Sequence, residues 1–263
     1  MIQHDFHFKW IVQMRADVTA LNPELIRLGS EAGMRLAFLG LESGSPEILM
    51  KMHKGLFTPQ SVKAVRVLSE SGVMVLCGMM LGAPYENFED MLRTIEFSRR
   101  LADAGADAIQ FTIYTPLPGT RIFDEALRGN KLFTLDWDRY DAQTPVMETR
   151  VHPALIQMLQ FYGNYSFYVR KFLMSRLKPR RLKEFKQNLV SNAEKFIIDM
   201  MPTYLRDVLS LPAKLASTTK LYYSLAKEIL DNEKIDELLQ FSNKVIYQET
   251  GSKNRYFLIK EPA

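Results

Sequence analysis

Apolar runs alternate with amphipathic stretches over the first half of the chain, which predicts strands that alternate with helices. The runs cover residues 10–15, 35–41, 73–81 and 107–114. Strands separated by helices favour a parallel sheet, because a right-handed helical crossover is the usual connection between parallel neighbours. The middle two runs are almost continuously hydrophobic, which is typical of strands that are buried on both faces.

A short repeat marks where each helix is expected to end and the next strand to begin. EAGMRLAFLG (31–40), ESGVMVLCGM (70–79) and DAGADAIQFTI (103–113) share an acidic residue, a small residue, a glycine and an apolar run. A glycine in this place is suited to the left-handed conformation that closes a helix. We therefore predict left-handed caps at Gly33, Gly72 and Gly105.

The helix starts carry their own signals. Asn22 precedes Pro23, and Thr58 precedes Pro59, so that a capping side chain stands before a proline at the first helical position. Apolar residues at helical spacing follow Thr58 and again follow Asn87. These segments are predicted to be helices that pack against the sheet.

Each predicted strand ends in polar or backbone-exposing residues. In parallel α/β folds, functional groups gather at the carboxyl ends of the strands, in the loops that lead into the helices. Because these ends share one edge of the sheet, the sequence predicts one shared pocket. Its walls are RAD at 15–17, ESGS at 42–45, GAPYE at 82–86 and YTPLPG at 114–119.

The repeat stops near residue 150, and the chain then lacks glycine between Gly163 and Gly251. We divide the chain into a partial (β/α) barrel, 1–150, and a helical C-terminal region, 151–263. Prolines are the natural breaks in this region. The predicted helices are 153–177, 180–199, 203–216, 218–231 and 234–248.

Composition narrows the function classes. The chain is 47% hydrophobic and 24% charged, as in an ordinary globular protein, and no apolar run is long enough to span a membrane. The N-terminal stretch does not resemble a signal peptide, so a cytoplasmic address is expected. Cys77 is the only cysteine, which excludes an internal disulfide and any site built from several thiolates of this chain. Its apolar neighbours indicate a buried thiol.

The net charge of +4 is unevenly distributed, since residues 170–195 hold nine lysines and arginines against two glutamates. The basic, aromatic stretch 161–186 has two interpretations. In the first, the aromatic side chains pack on the barrel and the lysine and arginine side chains are solvated. In the second, Tyr162, Phe167 and Phe172 lie on an anionic membrane surface, which would make the protein peripheral to the membrane. Nucleic-acid binding is not expected, because no recognised module accompanies the charge.

Five segments in order over residues 10–141 resemble the radical S-adenosylmethionine superfamily: RADV, GLESGSPEILMKMHKG, GMMLGAPYENFEDMLRTIEF, FTIYTPLPGTRIFDEAL and DWDRYD. More narrowly, they resemble the group with a cobalamin-binding domain ahead of the barrel, such as anaerobic magnesium-protoporphyrin monomethyl ester cyclases and related methylases. The resemblance implies that S-adenosylmethionine binds across the rim of an incomplete six-stranded barrel. It also implies a four-iron four-sulfur cluster, which reduces this cofactor to a 5′-deoxyadenosyl radical.

The resemblance also implies roles for individual residues. Glu42 would accept from an ammonium or a ribose hydroxyl, and Lys54 would pair with the cofactor's carboxylate. Gly78 and Gly82 would let the backbone approach the adenine, and Glu86 would hold its loop. The full set of implied cofactor-binding residues is Arg15, Glu42, Ser43, Lys54, Gly78, Gly82, Glu86, Tyr114 and Thr115.

Structural alternatives remain open for five of these positions, among them Gly82, which with Ala83 and Pro84 is also suited to an ordinary turn. Glu42 is also suited to capping the following helix, and Lys54 to complementing the last turn of that helix as a solvated cation. Gly78 is also compatible with a β-bulge. Arg15 and Asp17 are close enough in sequence to pair only with each other.

The chain departs from the family at its cluster motif. The family holds its cluster with three cysteines in a CxxxCxxC loop, and one buried Cys77 cannot replace them. The acidic motif of the family's second strand is also missing, and the resemblance implies that residue 10 begins the third strand. We therefore expect the C-terminal portion of a larger methylase or cyclase, catalytically inert alone, whose full-length parent would also bind cobalamin.

Two other functions are compatible with these residues. An accessory or binding subunit would keep the pocket and complete its sheet with a separate chain that carries the cysteines. An ordinary α/β-barrel lyase would need a catalytic lysine or a metal set, and Lys54 alone is a poor candidate for this role.

Overall fold

The computed structural model describes residues 8–177, 246–249 and 255–258, with side chains placed for 8–171. Strands alternate with helices through most of this part of the chain. The elements are β1 (Trp10–Met14), α1 (Ala16–Leu21), α2 (Pro23–Glu31), β2 (Met34–Glu42), α3 (Pro46–Lys51), α4 (Thr58–Glu70), β3 (Met74–Leu81), α5 (Phe88–Ala104), β4 (Ala108–Ile113), α6 (Arg121–Arg128), a 3-10 helix (Trp137–Arg139), α7 (Pro153–Leu177), β5 (Ile246–Glu249) and β6 (Arg255–Leu258).

The first four strands form one open parallel sheet in the order β1-β2-β3-β4. This confirms the predicted α/β class and the four predicted strands. Helices connect the neighbouring strands, as right-handed crossovers between parallel strands require. All four carboxyl ends therefore lie at one edge of the sheet.

The two faces of the sheet differ in burial. Ala37, Leu39 and Leu41 are fully buried and join the main core, to which α4 and α5 also contribute. On the opposite face Phe38 and Leu76 are only partly buried. The expectation that β2 and β3 are buried on both faces is therefore wrong, because among the described residues the helices cover this second face only in part.

The predicted caps give a mixed result. Gly33, Gly72 and Gly105 all have positive φ, at +100°, +73° and +113°, as expected for left-handed helix ends. Asn22 precedes α2 and Pro23 opens that helix as predicted, but neither Asn22 nor Thr58 provides the predicted side-chain cap. Asn22 donates to the Val18 carbonyl and so closes α1 instead, and Thr58 is itself the first residue of α4. Asn87 does cap α5, accepting from the Asp90 amide at 2.9 Å.

Helix α7 has the predicted bounds and covers the outer edge of β4 with polar side chains. The Gln160 amide group donates to the Phe111 carbonyl at 2.9 Å, and the Asn164 side chain accepts from the Phe111 amide at 3.3 Å. One turn later, the Tyr168 hydroxyl lies 3.4 Å from the Ile109 amide and 3.3 Å from its carbonyl. These three side chains occupy the backbone groups that a fifth strand would use.

Residues after α7 are described only at the hairpin of β5 and β6. The predicted helical segment 234–248 is wrong over 246–248, which belong to β5. Ile246, Tyr247, Tyr256 and Phe257 are strong strand formers, and this propensity prevails there. The predicted helices 180–199, 203–216 and 218–231 lie outside the described residues, and the domain division at residue 150 stays a prediction.

The described part of α7 bears on the membrane interpretation. Phe167 is fully buried in the main core, so it is a core residue and not a surface anchor. Tyr162 is 43% exposed and accepts a hydrogen bond from Arg99, and the side chain of Phe172 lies outside the described set. Within the described residues, none of the helices combines the length and the apolarity needed to cross a bilayer.

Candidate active site

A cavity of about 320 Å³ opens at the carboxyl ends of β1 and β2. This volume lies at the lower end of the range for small-molecule sites. Charged side chains of both signs and a few apolar ones form its wall. The wall includes Arg15, Asp17, Phe38, Gly40, Glu42 and Lys54.

Glu42 and Lys54 form an ion pair in this wall, with Lys54 Nζ 2.6 Å from Glu42 Oε1. Their side chains are 21% and 31% exposed, so both retain access to a ligand. Glu42 has φ +64° and follows an irregularity in the pairing of β2 with β3, which turns its side chain at the strand end. A Cβ on Gly40 would lie 2.8 Å from Glu42 Oε1, so glycine leaves the carboxylate its place.

This pairing decides the alternatives for Glu42 and Lys54. Helix α3 begins at Pro46 with Ser45 at its N-cap position, so Glu42 is not a cap. The same helix ends at Lys51, three positions before Lys54, so Lys54 is not part of its last turn. Both side chains instead meet in the cavity wall.

Arg15 and Asp17 form the second ion pair of the cavity. The guanidinium donates to both carboxylate oxygens, at 3.1 and 2.9 Å. The Arg15 guanidinium lowers the pKa of the Asp17 carboxyl below its usual value. The alternative in which these two residues pair with each other is thus observed, and the pair also lines the cavity. The cavity therefore presents two cations and two carboxylates within one small volume.

Ser43, Gly44 and Ser45 do not line the cavity but pack on α5. Ser43 and Ser45 are fully buried, and a Cβ on Gly44 would lie 2.6 Å from the Arg93 carbonyl. Ser43 Oγ lies 3.0 Å from Thr94 Oγ1, and Ser45 Oγ donates to Asp90 at 2.8 Å. The ESGS motif thus has two structural roles: Glu42 lines the cavity, and the next three residues anchor the loop on α5.

The exit of β3 is organised by a buried carboxylate. Glu86 Oε2 accepts from the amides of Gly82 and Ala83, at 2.7 and 3.1 Å, while Oε1 is buried without a hydrogen-bond partner among the described residues. Burial raises the pKa of Glu86 to about 7, with a smaller contribution from Asp90, against the lowering effect of the two amides. Glu86 therefore holds the loop that starts at Gly82, whose φ is +85°.

Protein side chains cover the two glycines that were expected to face adenine. A Cβ on Gly78 would lie 2.6 Å from the Phe38 ring, and one on Gly82 would lie 3.0 Å from Ile156. Gly78 pairs with Gly40 and Gln110, and the irregularity that directly follows the Gly40–Gly78 pair places its extra residue, Leu41, on β2 and not at Gly78.

Tyr114 and Thr115 follow β4 at the same edge of the sheet. The Tyr114 amide donates to the Leu81 carbonyl at 2.8 Å, and the Thr115 hydroxyl donates to the Ile113 carbonyl at 3.0 Å. Burial raises the pKa of the Tyr114 hydroxyl. Burial, together with Tyr114 and Glu86, raises the pKa of Tyr85 to about 12. Tyr85 lies in the predicted wall GAPYE, although no sequence signal gave its side chain a role.

The residues present fit one of the two implied cofactors. An amino-acid group with one ammonium and one carboxylate matches the paired charges of the cavity. An iron–sulfur cluster needs several thiolates, whereas Cys77 is the only cysteine in the sequence and is fully buried in β3. Burial raises the pKa of its thiol far above the usual range. The described residues also contain no group of three or more acidic, histidine or cysteine side chains that is suited to a metal ion.

Comparison with protein families identifies one similar family. Residues 6–98 match the model of the radical SAM superfamily. Over this segment the chain is similar to that superfamily. The predicted resemblance is thereby confirmed, and it includes the strands and loops that form the cavity.

Curated relatives of this chain include proteins named as a methyltransferase and a cyclase. An uncharacterized methyltransferase of Pyrococcus horikoshii is 33% identical over 169 residues, which are 64% of this chain and 36% of the relative. The anaerobic magnesium-protoporphyrin IX monomethyl ester cyclase of Rubrivivax gelatinosus is 25% identical over 148 residues, or 56% of this chain and 26% of the relative. The chain thus spans about a third of the length of these relatives or less.

Among solved structures, the chain matches the cobalamin-dependent S-adenosylmethionine radical enzyme OxsB, with aqua-cobalamin and S-adenosylmethionine bound. The match has a TM-score of 0.48 and 13% identity, and it covers 92% of this chain and 47% of OxsB. The radical S-adenosylmethionine methyltransferase TsrM from Kitasatospora setae matches with a TM-score of 0.39 and 19% identity, over 46% of this chain and 23% of that one.

Proposed function

We propose that this chain is part of a radical SAM methylase or cyclase and that its cavity binds the amino-acid end of S-adenosylmethionine. The proposal rests on one observation: two ion pairs, Glu42–Lys54 and Arg15–Asp17, line one cavity at the carboxyl edge of the sheet. The names of the sequence relatives support the enzyme class.

Binding would proceed by exchange of charged partners. The carboxylate of the ligand replaces Glu42 as an acceptor from Lys54, and its ammonium replaces Lys54 as a donor to Glu42. Because each group is charged in the free protein and in the complex, the exchange leaves no charge unpaired. The adjacent Arg15–Asp17 pair offers the same exchange on the other wall. Charge-assisted hydrogen bonds of this kind contribute about 1.5–3 kcal/mol each.

When bound beside a reducing iron–sulfur cluster, S-adenosylmethionine supplies the radical for which the family is named. The residues of this chain would bind and orient the amino-acid group, while the buried Glu86 keeps the neighbouring strand exit in place. Since the sequence holds one cysteine, the cluster ligands would come from outside it. We accordingly propose that the chain alone binds the cofactor without turning it over, and that the full-length parent would also bind cobalamin.

Isothermal titration calorimetry with S-adenosylmethionine tests the proposal. We expect saturable binding to the unaltered chain, and we expect Lys54→Met and Glu42→Gln each to weaken it by roughly 10- to 100-fold, as the loss of one charge-assisted bond implies. Lys63→Met is the matched control, because Lys63 is exposed on α4, outside the cavity wall.

Two results would contradict the proposal. The first is no detectable heat or dialysis signal at millimolar S-adenosylmethionine. The second is binding that Lys63→Met weakens as strongly as Lys54→Met, because the interaction would then reflect general charge and not the cavity.

The free edge of β1 favours a second candidate, an accessory subunit that completes its sheet with a separate cysteine-bearing chain. No strand lies beyond β1 among the described residues, and Ile11 on this strand is 74% exposed. Leu21 and Leu25, on the helices that follow β1, are 71% and 57% exposed. A strand and a helix from a partner would cover both the edge and these leucines.

Photo-crosslinking in the source cells tests this second candidate. A photoreactive amino acid at position 11 should crosslink to a chain that contains CxxxCxxC, identified by mass spectrometry, and the same group at exposed Lys63 should not. Crosslinks at position 11 only within this chain would exclude the accessory function.

A further inference from the structure

A buried hydrogen-bond network joins the loop after β2 to α5. The Thr94 hydroxyl donates to the Asp90 carbonyl of its own helix at 3.0 Å. It also lies 3.0 Å from Ser43 Oγ and 3.0 Å from the Gly44 amide nitrogen. A hydroxyl has one proton and two acceptor positions, so Thr94 accepts from both Ser43 and Gly44.

The loop has no room to move away from this arrangement. Ser43, Ser45 and Thr94 are all fully buried. A Cβ on Gly44 would lie 2.5 Å from the Phe97 Cβ, so the loop backbone rests directly on the surface of α5. The Ser45 amide donates to Ser43 Oγ at 3.1 Å, which carries the network one residue further.

The network is adjacent to the most unusual backbone conformation in the cavity. Glu42 immediately precedes Ser43 and has φ +64°, a region that residues with a side chain rarely adopt. Such a conformation persists only when the surroundings determine it. On the C-terminal side of Glu42, the fixed neighbours are Ser43 and Gly44, both bonded to Thr94.

We propose that Thr94 is a positioning residue, whose hydroxyl locks Ser43 and Gly44 so that Glu42 turns into the cavity against Lys54. Thr94 is not part of the cavity wall and acts on a ligand only through Glu42. The part of this proposal that concerns S-adenosylmethionine rests on the proposed function. The part that concerns the loop stands on the contacts alone.

The variant Thr94→Val keeps the shape of the side chain and removes its hydroxyl. We expect faster amide hydrogen exchange in the peptide that covers 41–46 and S-adenosylmethionine binding that is weaker by about tenfold, the equivalent of one lost hydrogen bond. Thr94→Ser retains the hydroxyl and should restore both properties. In a Glu42→Gln background, Thr94→Val should weaken binding much less, because its route to the ligand is already removed.

Ser98→Ala is the matched control. Ser98 is also fully buried on α5, one turn after Thr94, but its hydroxyl donates only to the Ile95 carbonyl of the same helix. This variant should leave both exchange at 41–46 and cofactor affinity unchanged. Ser43→Ala removes one of the two groups that donate to the Thr94 hydroxyl, so it tests the same link if Thr94→Val does not fold.

The outcomes separate this proposal from the proposed function. Exchange at 41–46 that is unchanged in both Thr94→Val and Ser43→Ala overturns the positioning role. The proposal is also overturned if Thr94→Val weakens binding by the same tenfold factor in the Glu42→Gln background, because the effect would then not depend on Glu42. If the loop loosens while the unaltered chain binds no S-adenosylmethionine, the proposed function fails and the positioning of Glu42 stands.

Discussion

At the scale of single residues, the buried carboxylate of Glu86, in the loop after β3, is expected to make the free energy of unfolding depend on pH. It satisfies two backbone amides with one oxygen and leaves the other oxygen buried and unbonded among the described residues. Burial raises its pKa from 4.5 to about 7, so the folded state holds this proton more tightly than the unfolded chain does. The ionised side chain is therefore a destabilising element at high pH.

Glu86→Gln should remove this pH dependence while keeping an acceptor for the two amides. For the native carboxyl the penalty grows as pH rises from about 4.5 to 7 and is fully present above that, up to roughly 3 kcal/mol for a shift of this size. The free energy of unfolding of Glu86→Gln, relative to the unaltered chain, should therefore rise between pH 5 and pH 8. Urea denaturation at a series of pH values measures the difference.

Glu89→Gln provides the control for this series, because Glu89 lies three residues after Glu86, in the first turn of α5, and is exposed. Its effect on unfolding should be small and nearly constant with pH. A pH-independent difference between Glu86→Gln and the unaltered chain would show that Glu86 does not titrate in this range.

At the scale of elements, α7 closes one edge of the sheet with side chains. Gln160, Asn164 and Tyr168 recur every four residues, so they lie along one face of the helix and reach successive backbone groups of β4. Gly163 lets the helix come close, since a Cβ there would lie 3.0 Å from the Phe111 ring. The helix thus ends the sheet at β4, whereas β1 has no such cover among the described residues.

Tyr168→Phe should lower the free energy of unfolding by about 0.5–1.5 kcal/mol, the net value of a typical hydrogen bond. Its hydroxyl serves the Ile109 amide and carbonyl, and the phenyl ring of the variant leaves the packing unchanged. Thermal or urea denaturation measures the loss.

Tyr165→Phe is the matched substitution on the same helix, because Tyr165 is 55% exposed. Its effect should lie within experimental error. Equal losses from both variants would mean that α7 does not cap β4 through these hydrogen bonds.

At the scale of the whole molecule, the polar chemistry and the only thiol are separated. The charged cavity lies at the carboxyl ends of β1 and β2, whereas Cys77 is fully buried within β3. Cys77 belongs to the main core, together with Ala37, Leu39 and Leu41 of β2. The proposed binding surface for an adenosyl cofactor is therefore distinct from the position of the thiol, and a single cysteine provides no ligand set for a cluster.

Anaerobic reconstitution of this chain with iron and sulfide should yield no visible absorbance from an iron–sulfur cluster, because one buried thiol cannot replace three ligands. Cys77→Ser should give the same spectrum. A cluster bound in stoichiometric amount would contradict our assignment of residue 10 to the third strand of the family barrel.

The sequence alone was sufficient to predict the sheet, since alternating apolar runs and capping glycines are local signals. It identified Arg15, Glu42 and Glu86, because each stands in a polar strand exit, whereas Lys54 was named only through the resemblance to the radical SAM superfamily. Asn22 misled the interpretation, because its side chain closes the preceding helix, a choice that the sequence around it does not fix.

Contacts between distant segments were decided only by the tertiary structure. Thr94 is 51 residues from Ser43, and it looks like any buried helix residue until α5 packs on the loop. The sequence determined which residues carry charge and where strands end, because these properties depend on composition and near neighbours. Folding alone decided that Glu42 meets Lys54 and that Ser43 turns away, because those orientations depend on the packing of remote elements.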